Sequence, residues 1–175
     1  MRREILYLLE GFDRMNVVVS VKKVAFIGAP RVGKTTLIKL LIGENLPKKY
    51  QPTIGLDFGR IQLGQNEFSL WDLAGQEQFA FLWEMFLKGT EIIFAVTDST
   101  PKNVHLTKEI IEKTKNCGQK LICIANKQDL PGAMKPEKIE KQLNVETYGV
   151  TAIDPQYRAM LEIILQQTAE NKVTT

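Results

Sequence analysis

Residues 24 to 42 read Val24-Ala25-Phe26-Ile27-Gly28-Ala29-Pro30-Arg31-Val32-Gly33-Lys34-Thr35-Thr36-Leu37-Ile38-Lys39-Leu40-Leu41-Ile42. An apolar run enters a loop bracketed by two glycines, and the loop leaves into a helical pattern, which is the strand, phosphate loop and helix of the Walker A motif. At Gly28 and Gly33 a Cβ would block backbone N–H groups from closing on phosphate oxygens. Lys34 is placed to reach the β- and γ-phosphates as a point charge, and the Thr35 hydroxyl to ligate the accompanying magnesium ion. The helix that begins near Lys34 adds its positive N-terminal end.

Working outward, apolar runs Glu91–Val96 and Lys120–Ala125 read as further buried strands, with a helix around 101–116 between them. Segments 56–63 and 67–72 flank Gly64-Gln65-Asn66 and read as an antiparallel hairpin. Residues 76–88 form a partly helical, glutamine- and aromatic-rich segment. Helices near 136–143 and 155–170, with a short strand at 146–151, complete the chain. The expectation is an α/β fold: a doubly wound, mostly parallel six-stranded sheet with helices on both faces and its ligand at the carboxyl ends of the strands. Residues 1–21 are assigned to an amphipathic helix and linker, and 22–175 to the nucleotide-binding domain.

Composition sets the class. The 175 residues suit one domain, and 44 % hydrophobic with 25 % charged residues is ordinary globular composition. A formal charge of +3 compels neither a nucleic-acid nor a membrane partner, and no nucleic acid is expected. Cys117 and Cys123 lack metal-ligand spacing, and His105 stands alone as a surface histidine. No apolar stretch is long enough to span a bilayer, and no signal-peptide order precedes the first strand. Neither an N-terminal glycine for myristoylation nor a C-terminal cysteine for prenylation is present. A cytoplasmic protein is the expectation.

Three further segments refine the ligand. Trp71-Asp72-Leu73-Ala74-Gly75-Gln76-Glu77 follows a strand: Asp72 is placed to hold magnesium through water, Gly75 to offer its N–H to the γ-phosphate, and Gln76 to orient an attacking water. Thr53, in Tyr50-Gln51-Pro52-Thr53-Ile54-Gly55, can give a second hydroxyl to the magnesium and its N–H to the γ-phosphate, contacts that exist only with that phosphate present. Asn126-Lys127-Gln128-Asp129 ends the 120–125 strand. An aspartate accepting two bonds from guanine would be left unpaired facing adenine, so guanine is preferred. Lys127 can lie along the base, and Asn126 can tie the loop back to residues 28–33.

Together these residues resemble the Ras superfamily of small GTPases over about 22–170. Pro52-Thr53-Ile54-Gly55, Trp71-Asp72 and Asn126-Lys127-Gln128-Asp129-Leu130-Pro131-Gly132-Ala133-Met134 are most similar to the Arf and Arf-like branch, whereas Tyr50 and Ala74-Gly75-Gln76-Glu77 are closer to Ras and Rab. The resemblance implies a GTP-hydrolysing switch with Mg-GTP or Mg-GDP as ligand. It implies switch I at 44–55 and switch II at about 73–88, engaged by an activating protein, an exchange factor and an effector. It places Leu56, Trp71 and Phe86 in an effector patch, with core packing of the same residues as the rival reading. Thr151-Ala152-Ile153 matches the family's guanine-ring loop, with the Ala152 N–H facing the guanine O6.

Pro30 departs from the family: it removes one N–H and crowds the space an arginine finger would enter. Arg31 beside it is expected to face solvent. No arginine precedes Thr53 in switch I, so unaided hydrolysis is expected to be slow. A binding scaffold with negligible turnover and a P-loop nucleotide kinase are the alternatives. For the N-terminal helix, whose Ile5, Leu8, Leu9, Phe12 and Met15 share a face beside Arg2, Arg3 and Arg14, three readings stand open: packing on the domain, peripheral contact with an anionic membrane, and partner binding.

Overall fold

The computed structural model describes residues 21–46, 53–75, 83–114 and 120–170, the Glu84 side chain excepted. The N-terminal helix expected at 2–15, Gln76, Cys117 and the core of switch I at 47–52 lie outside the described residues.

Six strands form one sheet in the order β2-β3-β1-β4-β5-β6. They are β1 (Val21–Ile27), β2 (Leu56–Leu63), β3 (Asn66–Leu73), β4 (Ile92–Thr97), β5 (Lys120–Ala125) and β6 (Thr147–Gly149). Only the β2–β3 pair is antiparallel. Helices α1 (Lys34–Ile42), α2 (Trp83–Leu87), α3 (Pro101–Thr114), α4 (Pro136–Leu143) and α5 (Tyr157–Glu170) alternate with the strands. The doubly wound, mostly parallel sheet expected from the sequence is therefore the one observed. Boundaries move by a residue or two: β1 begins at Val21, and β6 keeps only three of the residues expected at 146–151.

The period of two along each strand divides the core. Val24, Phe26, Phe68, Leu70, Phe94 and Ile124 face α1 and α5, where Leu37, Leu41, Leu161 and Leu165 meet them. Ala25, Ile27, Leu73, Ile93, Ala95 and Cys123 face the opposite side, against Trp83, Leu87, Val104, Ile111 and Ile139. Phe26 and Phe94 meet edge to face at 5.1 Å, each fully buried, and burial of such a side chain contributes roughly 1.5–3 kcal/mol.

Strand order reverses at β1, which has β3 on one side and β4 on the other, and a crevice opens there at the strands' carboxyl ends. The register delivers the site residues to it. Phe26 pairs with Asp72, so the carboxylate leaves the sheet beside the loop that follows Ile27. Thr97 pairs with Ala125, so Asn126 emerges one strand further along the same rim.

Candidate nucleotide site

The first loop is closed by its own lysine. Lys34 is 7 % exposed, and its ammonium donates to the carbonyls of Gly28 and Ala29, both at 3.0 Å. Burial pushes its pKa down to about 8, opposed by the nearby charge of Asp72. Gly33 initiates α1 with φ 106, and an added Cβ would stand 2.2 Å from Asn126 Nδ2. That position combines a left-handed backbone with a close approach, so glycine is required. Gly75 is equally confined: its Cβ would meet the Gly28 oxygen at 2.2 Å, which sets the start of switch II against the phosphate loop.

Beside Lys34, three oxygens from three segments converge. The Thr35 hydroxyl donates a short bond to Asp72 Oδ2, the Thr53 hydroxyl reaches the same atom at 3.2 Å, and the two hydroxyls are 3.2 Å apart. Asp72 is 2 % exposed, and its other oxygen, Oδ1, has no hydrogen-bond partner among the described residues. Burial raises its pKa, while the Thr35 bond, the Lys34 charge and the Thr53 bond pull it down. An unpartnered buried carboxylate oxygen beside two hydroxyls is an all-oxygen donor set, suited to a hard cation. The described residues hold no cluster of His, Cys, Asp or Glu able to ligate a metal alone. A cation here would thus complete its shell with ligand oxygens and water, as magnesium does at phosphate sites.

The other end of the cleft is built around Asn126, 2 % exposed. Its backbone N–H donates to Thr97 O at 2.8 Å, its Nδ2 to Val32 O at 2.8 Å, and its Oδ1 accepts from the Ala152 N–H at 3.0 Å. Lys127, in the left-handed region at φ 63, donates to Arg31 O at 2.8 Å. The base-side loop is thereby tied to the phosphate loop at two points. One cleft of about 470 Å³ takes in Lys34, Thr35, Thr53 and Gly75 at one end and Asn126, Lys127, Asp129, Ala152 and Ile153 at the other. Pro30, Arg31, Gly33 and Thr36 line its wall, whereas Val32 is fully buried behind it.

The Ala152 N–H, expected to face a base carbonyl, donates to Asn126 Oδ1 at 3.0 Å. Ile153, the next residue on the wall, is 64 % exposed, and Thr151 is buried. Other site residues carried no sequence signal. Leu46 and Leu130 rim the cleft, and Trp83 donates from its indole to Ala74 O at 3.3 Å, pinning the segment before Gly75. Ser99 and Gln128 brace the base-side loop from behind.

Trp71 is half-buried: the indole N–H donates to Ser69 Oγ at 2.9 Å, the Lys23 ammonium lies 3.7 Å above the ring, and Phe86 is 6.3 Å away. Leu56 and Phe86 pack partly on the core, while Ile54 and Phe58 beside them are exposed. No described helix is long and apolar enough to cross a membrane.

The model of one protein family, the ADP-ribosylation factor family, matches residues 9–171. ADP-ribosylation factor-like protein alp41 of Schizosaccharomyces pombe is 29 % identical over 131 residues, 72 % of this chain and 70 % of that protein. ADP-ribosylation factor-like protein 8b of Arabidopsis thaliana is 28 % identical over 130 residues, 71 % of each. ADP-ribosylation factor-like protein 2 of Dictyostelium discoideum is 29 % identical over 129 residues, 71 % of this chain and 70 % of that protein.

Proposed function

The chain belongs to the ADP-ribosylation factor family of small GTPases, and we propose that its GTP cycle is run by the residues that meet in the one cleft between Lys34 and Asp129. As a member it binds GTP and GDP with magnesium, hydrolyses GTP and acts as a nucleotide-dependent switch served by regulators and effectors. The observation that carries the residue assignment is the shared cleft itself, with Thr35 and Thr53, which hold the buried Asp72 carboxylate, at one end and Asp129 at the other.

Lys34 leaves the Gly28 and Ala29 carbonyls for the β- and γ-phosphates, trading neutral acceptors for charged ones. Thr35 and Thr53 would supply hydroxyls to magnesium, with Asp72 beside them to help hold the ion. Magnesium, when bound, neutralises charge on the β- and γ-phosphate oxygens. The Gly75 N–H reads the γ-phosphate, and Gln76 orients the attacking water. Asp129 accepts from the guanine N–H groups, Lys127 covers the base, and the N–H of Ile153 meets the guanine carbonyl.

Pro30 stands in the cleft wall where a loop N–H would otherwise serve a phosphate. With no arginine before Thr53 in switch I, unaided turnover is slow, on the order of 10⁻⁴ to 10⁻³ per second, and an activating protein accelerates it. Effectors read Leu56, Trp71 and Phe86, whose exposure changes with the adjoining switches. The N-terminal residues ahead of β1 are read as an element whose basic and apolar residues would either pack on the domain or contact an anionic membrane. Equal liposome flotation with GDP and with a GTP analogue would sink a nucleotide-switched membrane contact.

Single-turnover phosphate release tests the chemistry. The protein should release phosphate slowly and Gln76→Leu at least about ten-fold more slowly, within the range of general water-positioning effects. Equal rates for the two would remove Gln76 from the mechanism.

A further inference from the structure

Gln128 occupies the unspecified position of Asn126-Lys127-Gln128-Asp129, yet its side chain makes as many hydrogen bonds as that of Asn126. Its Nε2 donates to Ser99 Oγ at 2.7 Å and to Met134 O at 3.2 Å, using both amide protons. Ser99, fully buried and held at φ 65, passes the chain on by donating to Asn126 O at 2.7 Å. The Gln128 N–H donates to Val150 O at 3.1 Å, and the Met134 N–H returns to Ser99 O at 2.8 Å. The Gln128 stem runs over Gly149, where an added Cβ would lie 3.3 Å from its Cγ. One side chain therefore joins the end of β4, the 130–135 turn and the end of β6 behind the base-side loop.

Asp129 contrasts with it. Its carboxylate is exposed on the cleft wall, and no hydrogen bond to it is formed among the described residues. Its position is thus inherited from the backbone on either side. Asn126 fixes the residue before Lys127, and Lys127 is the turn residue whose carbonyl accepts from the Leu130 N–H at 3.1 Å. Between these, only Gln128 ties the loop inward immediately before Asp129.

We propose that Gln128, acting through Ser99, is the positioning residue that aims Asp129 at the base, and so sets how strongly guanine is preferred over bases lacking its exocyclic amine. The proposal rests on the base-reading role assigned to Asp129. A carboxylate that accepts two bonds at once needs tighter placement than one that accepts a single bond, so loosening the loop costs the two-bond ligand more.

The test measures dissociation rates of GDP and of inosine diphosphate, which keeps the ring N–H and lacks the amine, from the full chain. In Gln128→Met, similar in volume but without the amide, GDP release should speed up about ten-fold and inosine diphosphate release about three-fold, narrowing the preference. Ser99→Ala should move both in the same direction by smaller factors, and it reads the same ratio should Gln128→Met fail to fold. A brace that merely supports the fold would speed both ligands equally, and that outcome overturns the proposal while leaving Asp129 in its role. Equal release of the two ligands from the unmodified protein would instead refute the reading of Asp129, and the proposal with it.

Discussion

The two ends of the cleft differ in how far the chain completes them. At the base end Asn126 spends its backbone N–H, its amide and its carbonyl oxygen on Thr97, Val32 and Ala152, and Gln128 and Ser99 brace the loop from behind. At the phosphate end Asp72 Oδ1 is buried without a partner, and the Lys34 charge rests on two backbone carbonyls. Unmet polar groups store binding free energy, whereas satisfied ones contribute to folding. The base end is therefore built for stability and the phosphate end for response to ligand.

The strongest way to break this contrast is to remove the phosphate-end charge. Lys34→Met should weaken GTP binding about 10²- to 10³-fold, as expected for truncating one partner of a buried charge pair. The nucleotide-free protein should lose far less stability than affinity, because the desolvation penalty lost with the ammonium offsets the stranded Gly28 and Ala29 carbonyls and the uncompensated Asp72. Titration with a fluorescent nucleotide and thermal melting read the two arms, and a parallel loss of both would end the distinction.

Asn126→Ala probes the opposite end and should show the opposite order. It strands the Val32 carbonyl and the Ala152 N–H, so nucleotide-free stability should fall by about 2–3 kcal/mol in urea unfolding. Should it cost affinity alone, the base end is no more complete than the phosphate end.

The smallest effect, and the one that sharpens the contrast most, is on pH. Ligand-free Lys34 titrates near 8, and phosphate charges raise that value, so binding above pH 8 takes up a proton. Affinity should be flat below pH 8 and then fall, approaching ten-fold per unit. Stability of the nucleotide-free chain should respond with the other sign. The unfolded lysine keeps its proton up to its ordinary value of 10.5, so the burial penalty, complete below pH 8, is relieved as pH rises between the two. Calorimetry in buffers of different ionisation enthalpy counts the proton directly.

Much of this was legible in the sequence because it rests on local rules. Gly28, Gly33 and Lys34 are spaced by what a phosphate loop needs, and the continuous apolar runs of β1 and β4, with the alternation of β3, mark buried strands without reference to anything distant. What escaped depends on packing. Ser99 and Gln128 meet across 29 positions of sequence, and nothing near either one announces the other. Within Thr151-Ala152-Ile153 nothing local shows that the Ala152 N–H is taken by Asn126, 26 positions away. Trp71 was ambiguous because it is half-buried: Ser69 and Lys23 seat the ring at the sheet surface without covering it.

The pairing of Phe26 with Asp72 limits how the β2–β3 hairpin can travel. Leu70 points into one core and Leu73 into the other, so a slide by one residue would turn each toward the wrong side. A slide by two preserves the faces and carries Asp72 about 6.6 Å along β1. Strand register would thus restrict any sliding of the hairpin to steps of two residues, since an intermediate stop would leave side chains inverted or ladder bonds unmade.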